Sequence, residues 1–167
     1  MTDPFQSPRA KALAPRTAAR VAAVQALYQM DLAGTDLNAV IDEFVRLRIP
    51  RSSGDEAAAG ADPTFFAETL RGVLRCQRDI DLMIDQQLAE GWRLKRIDSI
   101  LRAILRAGVF ELMERPDVPA RVAINEYINV AHAFFSEDEP KVVNGVLDKL
   151  GRNLRPAEFE GNAKRQN

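Results

Sequence analysis

Apolar residues recur every three or four positions along most of this chain, which is the spacing of one face of an α-helix. The first such stretch is predicted to begin near Pro15 and to end at Gly34, because glycine suits the left-handed end of a helix. Its apolar stripe consists of Val21, Val24, Leu27, Tyr28 and Leu32. Residues 35–49 predict a shorter second helix, and a third is predicted from a cap at Asp62 to Gly91.

The second half of the chain continues the same helical pattern. Residues 97–115 carry the broadest apolar face and predict a central buried helix that Pro116 stops. The stretch "VPARVAINEYINVAHAFF", with Val122 among its inward residues, and the stretch "EPKVVNGVLDKLGRNL" predict further helices. The whole pattern predicts an all-α fold of about six to seven helices.

One short stretch, "VVNGVL", also matches a different structure. Asn-Gly between β-branched residues is the strongest short signal for a β-hairpin. We favour a helix here because Val142, Val146 and Leu150 recur at steps of four. A glycine inside a helix costs about 1 kcal/mol relative to alanine. Gly145 therefore suggests the close approach of a ligand or of another backbone, and packing between helices of the protein itself is an equally good explanation.

Changes in composition divide the chain into five segments. Residues 1–14 contain two prolines and no sustained period, so they predict a flexible basic arm. Residues 15–91 predict an N-terminal helical bundle and residues 92–155 a C-terminal one. Within the first bundle, residues 49–62 are small and polar, and we expect a flexible loop that the core does not need. Residues 156–167 predict a flexible polar tail.

Composition argues against several classes of function. The net charge is −1, with 23 Lys+Arg against 24 Asp+Glu, so any site for a polyanion must be local. A single cysteine, Cys76, cannot form an intramolecular disulfide, and no stretch predicts a signal peptide or a membrane span. We therefore expect a soluble cytoplasmic protein.

Candidates for catalysis or for metal binding are few. The chain has one histidine, His132, and contains no Gly-rich phosphate loop and no dinucleotide fingerprint. Asp81 and Asp85 lie four apart on one helix face, but without a matching His or Glu they are better explained as solvated charges. We expect a binding protein that is not an enzyme and uses no cofactor or metal.

The basic end of the chain is the main candidate for binding. No acidic residue occurs from Pro4 to Met30, and Arg16 and Arg20 share one helix face. Arg9 and Lys11 on the arm can join them around phosphates. Gln25 can bond a base edge and Tyr28 can stack on an unpaired base, a combination that suits single-stranded RNA. A core role for Tyr28 and a solvated Gln25 are equally good explanations from these residues alone.

A second group of cations, the basic ridge, lies on and before the predicted central helix. Its members are Arg93, Lys95, Arg96, Arg102 and Arg106. We favour a solvated helix face over a binding role for this ridge.

Four segments resemble a known family. "ARVAAVQALYQMD", "LRAGVFEL", "DVPARVAINEYINVAHAF" and "KVVNGVLDKL" closely resemble the NusB family of bacterial transcription antitermination factors, in the right order and over nearly the whole chain. The resemblance implies an all-helical fold of two packed bundles without enzymatic activity. It also implies binding to single-stranded boxA RNA of ribosomal RNA leaders, together with the small-subunit ribosomal protein NusE, in the antitermination complex of RNA polymerase.

Carried over residue by residue, the resemblance also implies a site. The implied RNA contacts are Arg16, Arg20, Gln25 and Tyr28 of the first helix, and Lys141, Val142 and Asn144 at the start of the last long helix. Asp138 matches a position of the same site, where a carboxylate tempers RNA affinity by repulsion. NusE would dock on the middle helices, across Arg102 and Arg106. We expect the basic entrance of the first helix to lie beside the start of the last, so that together they cradle the RNA.

The sequence departs from the family pattern in two places. Thr17, Ala18 and Ala19 interrupt the arginine cluster, which weakens the case for RNA binding without a partner, and the loop near residues 51–62 is longer than expected. A helical scaffold that recruits only proteins is the alternative function.

Overall fold

The computed structural model describes residues 13–51, 57–89 and 92–160, and regular secondary structure within them is helical throughout. The helices are α1 (Pro15–Ala33), α2 (Leu37–Glu43), α3 (Pro63–Gln87), α4 (Ser99–Glu114), α5 (Ala120–Phe134), α6 (Glu139–Leu154) and α7 (Pro156–Glu160). A π-helical turn, Phe44–Arg48, continues α2. The predicted all-α fold is confirmed, and "VVNGVL" lies within α6 as a helix.

Local side-chain chemistry sets several helix ends. The carboxylates of Asp36, Asp62 and Asp98 each accept hydrogen bonds from two backbone N–H groups at the start of α2, α3 and α4. Such a cap stabilises a helix by about 1 kcal/mol. Gly34 ends α1 with a left-handed φ of 65°. The predicted cap at Asp62 and the predicted end at Gly34 are therefore confirmed, whereas α3 ends at Gln87 rather than at Gly91.

Helix α4 is the central element of the core, as its apolar pattern predicts. It contacts α1 and α3 from the N-terminal half of the chain and α5 and α6 from the C-terminal half. Leu101, Ile104, Leu105 and Leu112 of α4 are almost completely buried. The helices before and after α4 therefore share one continuous core.

Two glycines of the long helices have opposite surroundings. A Cβ atom added to Gly72 of α3 would lie 2.1 Å from the ring of Phe110 in α4, so this glycine lets the two helices approach closely. A Cβ atom added to Gly145 of α6 would meet no atom of the described residues within 4 Å. Packing against the described helices, one of the two explanations for Gly145, therefore does not account for this glycine.

The loop prediction for residues 49–62 is wrong at both ends of the segment. Ile49, Ala58 and Ala61 are buried in the core. The N–H of Gly60 donates to the carbonyl of Ile49 at 2.8 Å, and the N–H of Asp62 donates to the carbonyl of Pro15 at 2.9 Å. The core therefore uses both ends of this segment, and residues 52–56 lie outside the described part.

The tail prediction is wrong for residues 156–160. These residues form α7, and Phe159 is buried because its ring packs near Gly151 and Ile124. The carboxylate of Glu158 accepts a hydrogen bond at 2.8 Å from the N–H of Ala120, the first residue of α5. This bond, with a smaller effect of Arg155, lowers the pKa of Glu158. Residues 161–167 lie outside the described part.

The buried face of α5 differs from the predicted inward face, which comprised Val122, Ile124, Ile128, Ala131 and Phe135. Val122 is exposed, and the buried residues are Ala120, Ala123, Ile124, Tyr127, Val130 and Ala131. These residues follow the helical spacing when Tyr127 is counted as a core residue, and the prediction left it out.

Among the helices described, none is long and apolar enough to cross a membrane.

The two glycines give a matched pair of alanine substitutions. Gly72→Ala should lower the free energy of unfolding by about 1–3 kcal/mol, because the new methyl group collides with a buried ring. Gly145→Ala should raise it by about 0.4–1 kcal/mol, because the site is open and alanine favours the helix. Urea denaturation followed by circular dichroism measures both. Equal effects of the same sign would contradict this account of the two sites.

Candidate nucleic-acid interface

The direction of α1 along α4 decides which of the predicted site residues meet. Arg20, near the start of α1, pairs with Glu111 near the end of α4. Asp31, near the end of α1, pairs with Arg102 near the start of α4. The two helices are therefore antiparallel, and the end of α1 lies beside the start of α4.

A groove of about 500 Å³, which we call the Tyr28 groove, opens where α1 ends and α4 begins. It is lined by Val24, Gln25, Tyr28, Gln29, Leu32, Ala33, Arg48, Ile100 and Phe134. Tyr28 is 36% exposed, so it is not a simple core residue, and its neighbour Phe134 is exposed to a similar degree. The structure thus brings together Gln25 and Tyr28, two of the predicted RNA contacts.

The chemistry of the Tyr28 groove suits a flat, partly apolar ligand that carries negative charge. Exposed aromatic faces stack on unpaired bases, and a guanidinium attracts phosphate. Arg48 supplies that guanidinium: its Nη2 donates to Oε1 of Gln25 at 3.4 Å, and its Cζ lies 4.6 Å from the ring centroid of Phe44. Sequence reasoning missed Arg48 and Phe134, which only the tertiary fold brings to Tyr28.

The start of α6 lies at the same end of the molecule as the Tyr28 groove. Phe134 is the last residue of α5, and Asp138 follows it by four residues. Glu139, the first residue of α6, lines a second groove with Leu101 of α4. Three of the predicted contacts here, Asp138, Lys141 and Asn144, are exposed, and Val142 is half-buried.

Arg20 was wrongly predicted as an RNA contact. It is 3% exposed, and its Nε donates to both carboxylate oxygens of Glu111, at 2.9 and 3.1 Å. Its Nη1 also lies 3.5 Å from Oε2 of Glu126. The guanidinium is therefore held inside the protein by Glu111 and lies close to the partly exposed carboxylate of Glu126, so it is not available to a ligand.

The expected single cradle is also wrong. Arg16 is twelve positions before Tyr28, which is about 18 Å along a helix, and it lies at the opposite end of α1 from the start of α6. Its Nη1 pairs with Asp117 at 3.2 Å, and its Cζ lies 4.8 Å from the ring centroid of Phe65. Arg9 and Lys11, the predicted contacts on the arm, lie outside the described residues.

Arg20, Glu111 and Glu126 form a group that we call the Arg20 cluster. Burial has the largest effect on the pKa of Glu111 in this cluster. Desolvation raises the pKa of Glu111, and the charge and hydrogen bond of Arg20 oppose that shift. Burial likewise raises the pKa of Tyr127, which packs beside this cluster. The cluster is thus a structural connection between α1, α4 and α5.

Two members of the basic ridge are not the solvated cations that the sequence predicts. The side chains of Arg102 and Arg106 are each 15% exposed. Arg102 pairs with Asp31, and Arg106 binds Asp81 through two hydrogen bonds of 2.8 and 2.9 Å. Asp81 is therefore also not a solvated charge.

Asp85, four residues after Asp81, has a structural role as well, because its carboxylate accepts a hydrogen bond from the N–H of Leu94 at 3.0 Å. The other members of the ridge, Arg93, Lys95 and Arg96, are exposed and form no ion pair within the described part of the chain.

Comparisons with known proteins define the class to which this helical fold belongs. A family model described as the NusB family matches residues 17–152. The chain therefore belongs to the NusB family. It is 48% identical over 155 residues to the transcription antitermination protein NusB of Allorhizobium ampelinum, covering 93% of this chain and 97% of that protein.

Two other relatives extend the likeness. Transcription antitermination protein NusB of Caulobacter vibrioides is 51% identical over 141 residues, covering 84% of this chain and 95% of that protein. The solved structure of T. maritima NusB superposes with a TM-score of 0.72 at 28% identity, covering 88% of this chain and 98% of that one.

Arg20 should contribute to stability. Arg20→Met should lower the free energy of unfolding at neutral pH by about 3–5 kcal/mol, because it leaves the carboxylate of Glu111 buried without its partner. The folded pKa of Glu111 lies above its unfolded value, so the cost of this charge is absent below the unfolded pKa and grows as pH rises through the folded pKa. The deficit should therefore shrink in acid, as urea titrations at several pH values would measure.

Two control variants accompany this substitution. Arg16→Met removes an exposed pair and should cost at most about 1 kcal/mol. Arg20→Met combined with Glu111→Leu should recover much of the lost stability, because replacing both members of a buried pair is often nearly neutral. An Arg20→Met protein of unchanged stability would disprove the structural role.

Proposed function

We propose that this protein is a transcription antitermination factor that binds the boxA element of ribosomal RNA leader transcripts together with the ribosomal protein NusE. It acts without catalysis, in the cytoplasm, as part of the antitermination complex of RNA polymerase. The observation that carries the proposal is family membership over nearly the whole chain, supported by relatives named for transcription antitermination.

The Tyr28 groove supports a role in binding single-stranded RNA. Tyr28 and Phe134 offer aromatic faces, and Arg48 adds positive charge beside Gln25. Lys141 and Asn144, both in the first half of α6, are exposed at the same end of the molecule. In this proposal the strand runs from the Tyr28 groove to the start of α6, and the exposed carboxylate of Asp138 limits its affinity by repulsion.

The opposite end of α1 contributes less than its arginines suggest. Arg20 is buried, and Arg16 is already paired with Asp117. A site with about four phosphate contacts to a single strand has a salt slope near −3 and loses most of its affinity at cellular salt. The proposal therefore requires NusE to add binding surface.

We assign NusE to the face of α1, α3 and α4 that carries Arg102 and Arg106. A groove of about 240 Å³ lies there, and Leu27, Met30, Leu74 and Arg106 are among its lining residues. The ion pairs of Arg102 and Arg106 would form the polar rim of such an interface, since rims are polar and accessible. The two arginines would then orient NusE through hydrogen bonds, while their charges stay balanced by Asp31 and Asp81.

The test measures binding of a single-stranded boxA RNA with and without NusE across a salt series. Binding should be much tighter with NusE. Tyr28→Ala should weaken the complex by roughly five- to one-hundred-and-fifty-fold, the loss of one stacked base, while Tyr28→Phe keeps most of the affinity. Lys141→Glu should also weaken it and reduce the salt slope.

Arg75→Glu is the matched control for charge reversal. Arg75 is an exposed cation of α3 whose Nη2 lies 3.8 Å from Glu114, away from the Tyr28 groove. This variant should bind RNA and NusE like the unchanged protein. Binding of NusE with no gain in RNA affinity would instead favour the protein-recruiting scaffold.

A further inference from the structure

Trp92 lies between two shallow grooves at the end of the molecule where α4 and α6 begin. The first, of about 240 Å³, is lined by Gln87, Leu88, Ala89, Trp92, Val142, Gly145, Val146 and Lys149. The second, of about 270 Å³, is lined by Trp92, Arg93, Arg96, Ile97, Asp98, Leu101 and Glu139. The indole is 39% exposed and forms a wall of both grooves.

Gly145 gives the first groove an opening onto the backbone of α6. Glycine destabilises a helix interior relative to alanine, yet no atom of the described protein occupies the space that a side chain would fill. The missing side chain therefore leaves room for something outside this chain to approach the α6 backbone beside Trp92.

Among the described residues that line the two grooves, three cations exceed two carboxylates. Lys149 lines the first groove, and Arg93 and Arg96 line the second. None of the three forms an ion pair with the described residues. Two carboxylates, those of Asp98 and Glu139, oppose them in the second groove, and that of Asp98 is held at the start of α4 by the N–H groups of Ile100 and Leu101.

We propose that Trp92 is a stacking platform for a base of single-stranded RNA, with Gly145 admitting the nucleotide against α6 and Arg93, Arg96 and Lys149 holding its flanking phosphates. A flat aromatic wall among cations is the combination that single-stranded nucleic-acid sites use. This inference rests on the proposed function, because it extends the RNA path beyond Val142.

Trp92 is the only tryptophan in the chain, so its fluorescence reports on this site alone. The probes are a single-stranded RNA carrying boxA, a uridine homopolymer of equal length, and NusE without RNA. With NusE bound and saturating, the boxA RNA should quench the fluorescence of Trp92 as a base stacks on the indole. Quenching should saturate together with binding measured separately by a label on the RNA.

Substitutions at the platform should lower RNA affinity in a graded manner. Trp92→Ala should weaken binding of boxA RNA by roughly five- to one-hundred-and-fifty-fold, and Trp92→Phe should restore part of it. Gly145→Ala should weaken RNA binding although it stabilises the helix. Leu154→Ala is the control, since Leu154 is exposed to a similar degree (37%) near the far end of α6.

The outcomes separate this inference from the proposed function. Tight boxA binding with no quenching and with unchanged affinity of Trp92→Ala would overturn the platform and leave the proposed function intact. A change in fluorescence with NusE alone, and no further change with RNA, would mean that a protein covers Trp92 and would also overturn it. Absence of RNA binding in every condition would remove both proposals. Equal quenching by the uridine homopolymer would support a platform that is indifferent to sequence.

Discussion

The buried ion pair between Arg20 and Glu111 fixes the direction of α1 along α4, and the positions of the other functional groups follow from it. A buried charge without its partner is very unfavourable, so α1 cannot slide or reverse without leaving one member of the pair buried and unpaired. With this contact set, the end of α1 must lie beside the start of α4. Tyr28 then faces the residues that lead into α6.

This arrangement gives the two ends of the molecule different chemistry. At one end, arginines are used in ion pairs and stacked on Phe65, where the Cζ atoms of Arg16, Arg20 and Arg115 lie 4.8, 5.1 and 4.8 Å from the ring centroid. At the other end, aromatic side chains remain exposed around the starts of α4 and α6, together with cations that form no ion pair with the described residues. The distribution of charge along the sequence therefore does not coincide with the distribution of charge available to a ligand.

Much of the fold could be predicted from the sequence because it depends on local spacing. The helical periods, the cap at Asp62 and the stop at Gly34 involve residues within a few positions of each other. The ends of segment 49–62 and the burial of Phe159 could not be predicted this way, because small or isolated apolar residues carry no period. Their burial depends on helices that are distant in sequence.

Fewer residues of the candidate site could be predicted from the sequence. Helical spacing correctly places Arg16 and Arg20 on one face, but the partner of Arg20 is 91 residues away, and only the tertiary fold distinguishes a buried cation from an exposed one. Tyr28 and Gln25 could be selected by residue type. Arg48 and Phe134 join the Tyr28 groove, and Trp92 joins the two grooves beside α6, through the packing of separate elements, for which the sequence carries no local signal.

The hydrogen bond between Gly60 and Ile49 has a consequence for engineering. It ties together the two ends of a connecting segment in which Ala58 is also buried, so chain length can be added only where Ala58 and the two tied residues keep their places. Doubling the length of such a closed segment costs only about 0.6 kcal/mol in closure entropy. An affinity tag or a fluorescent label introduced between Ile49 and Ala58 should therefore leave the packing of the helices intact.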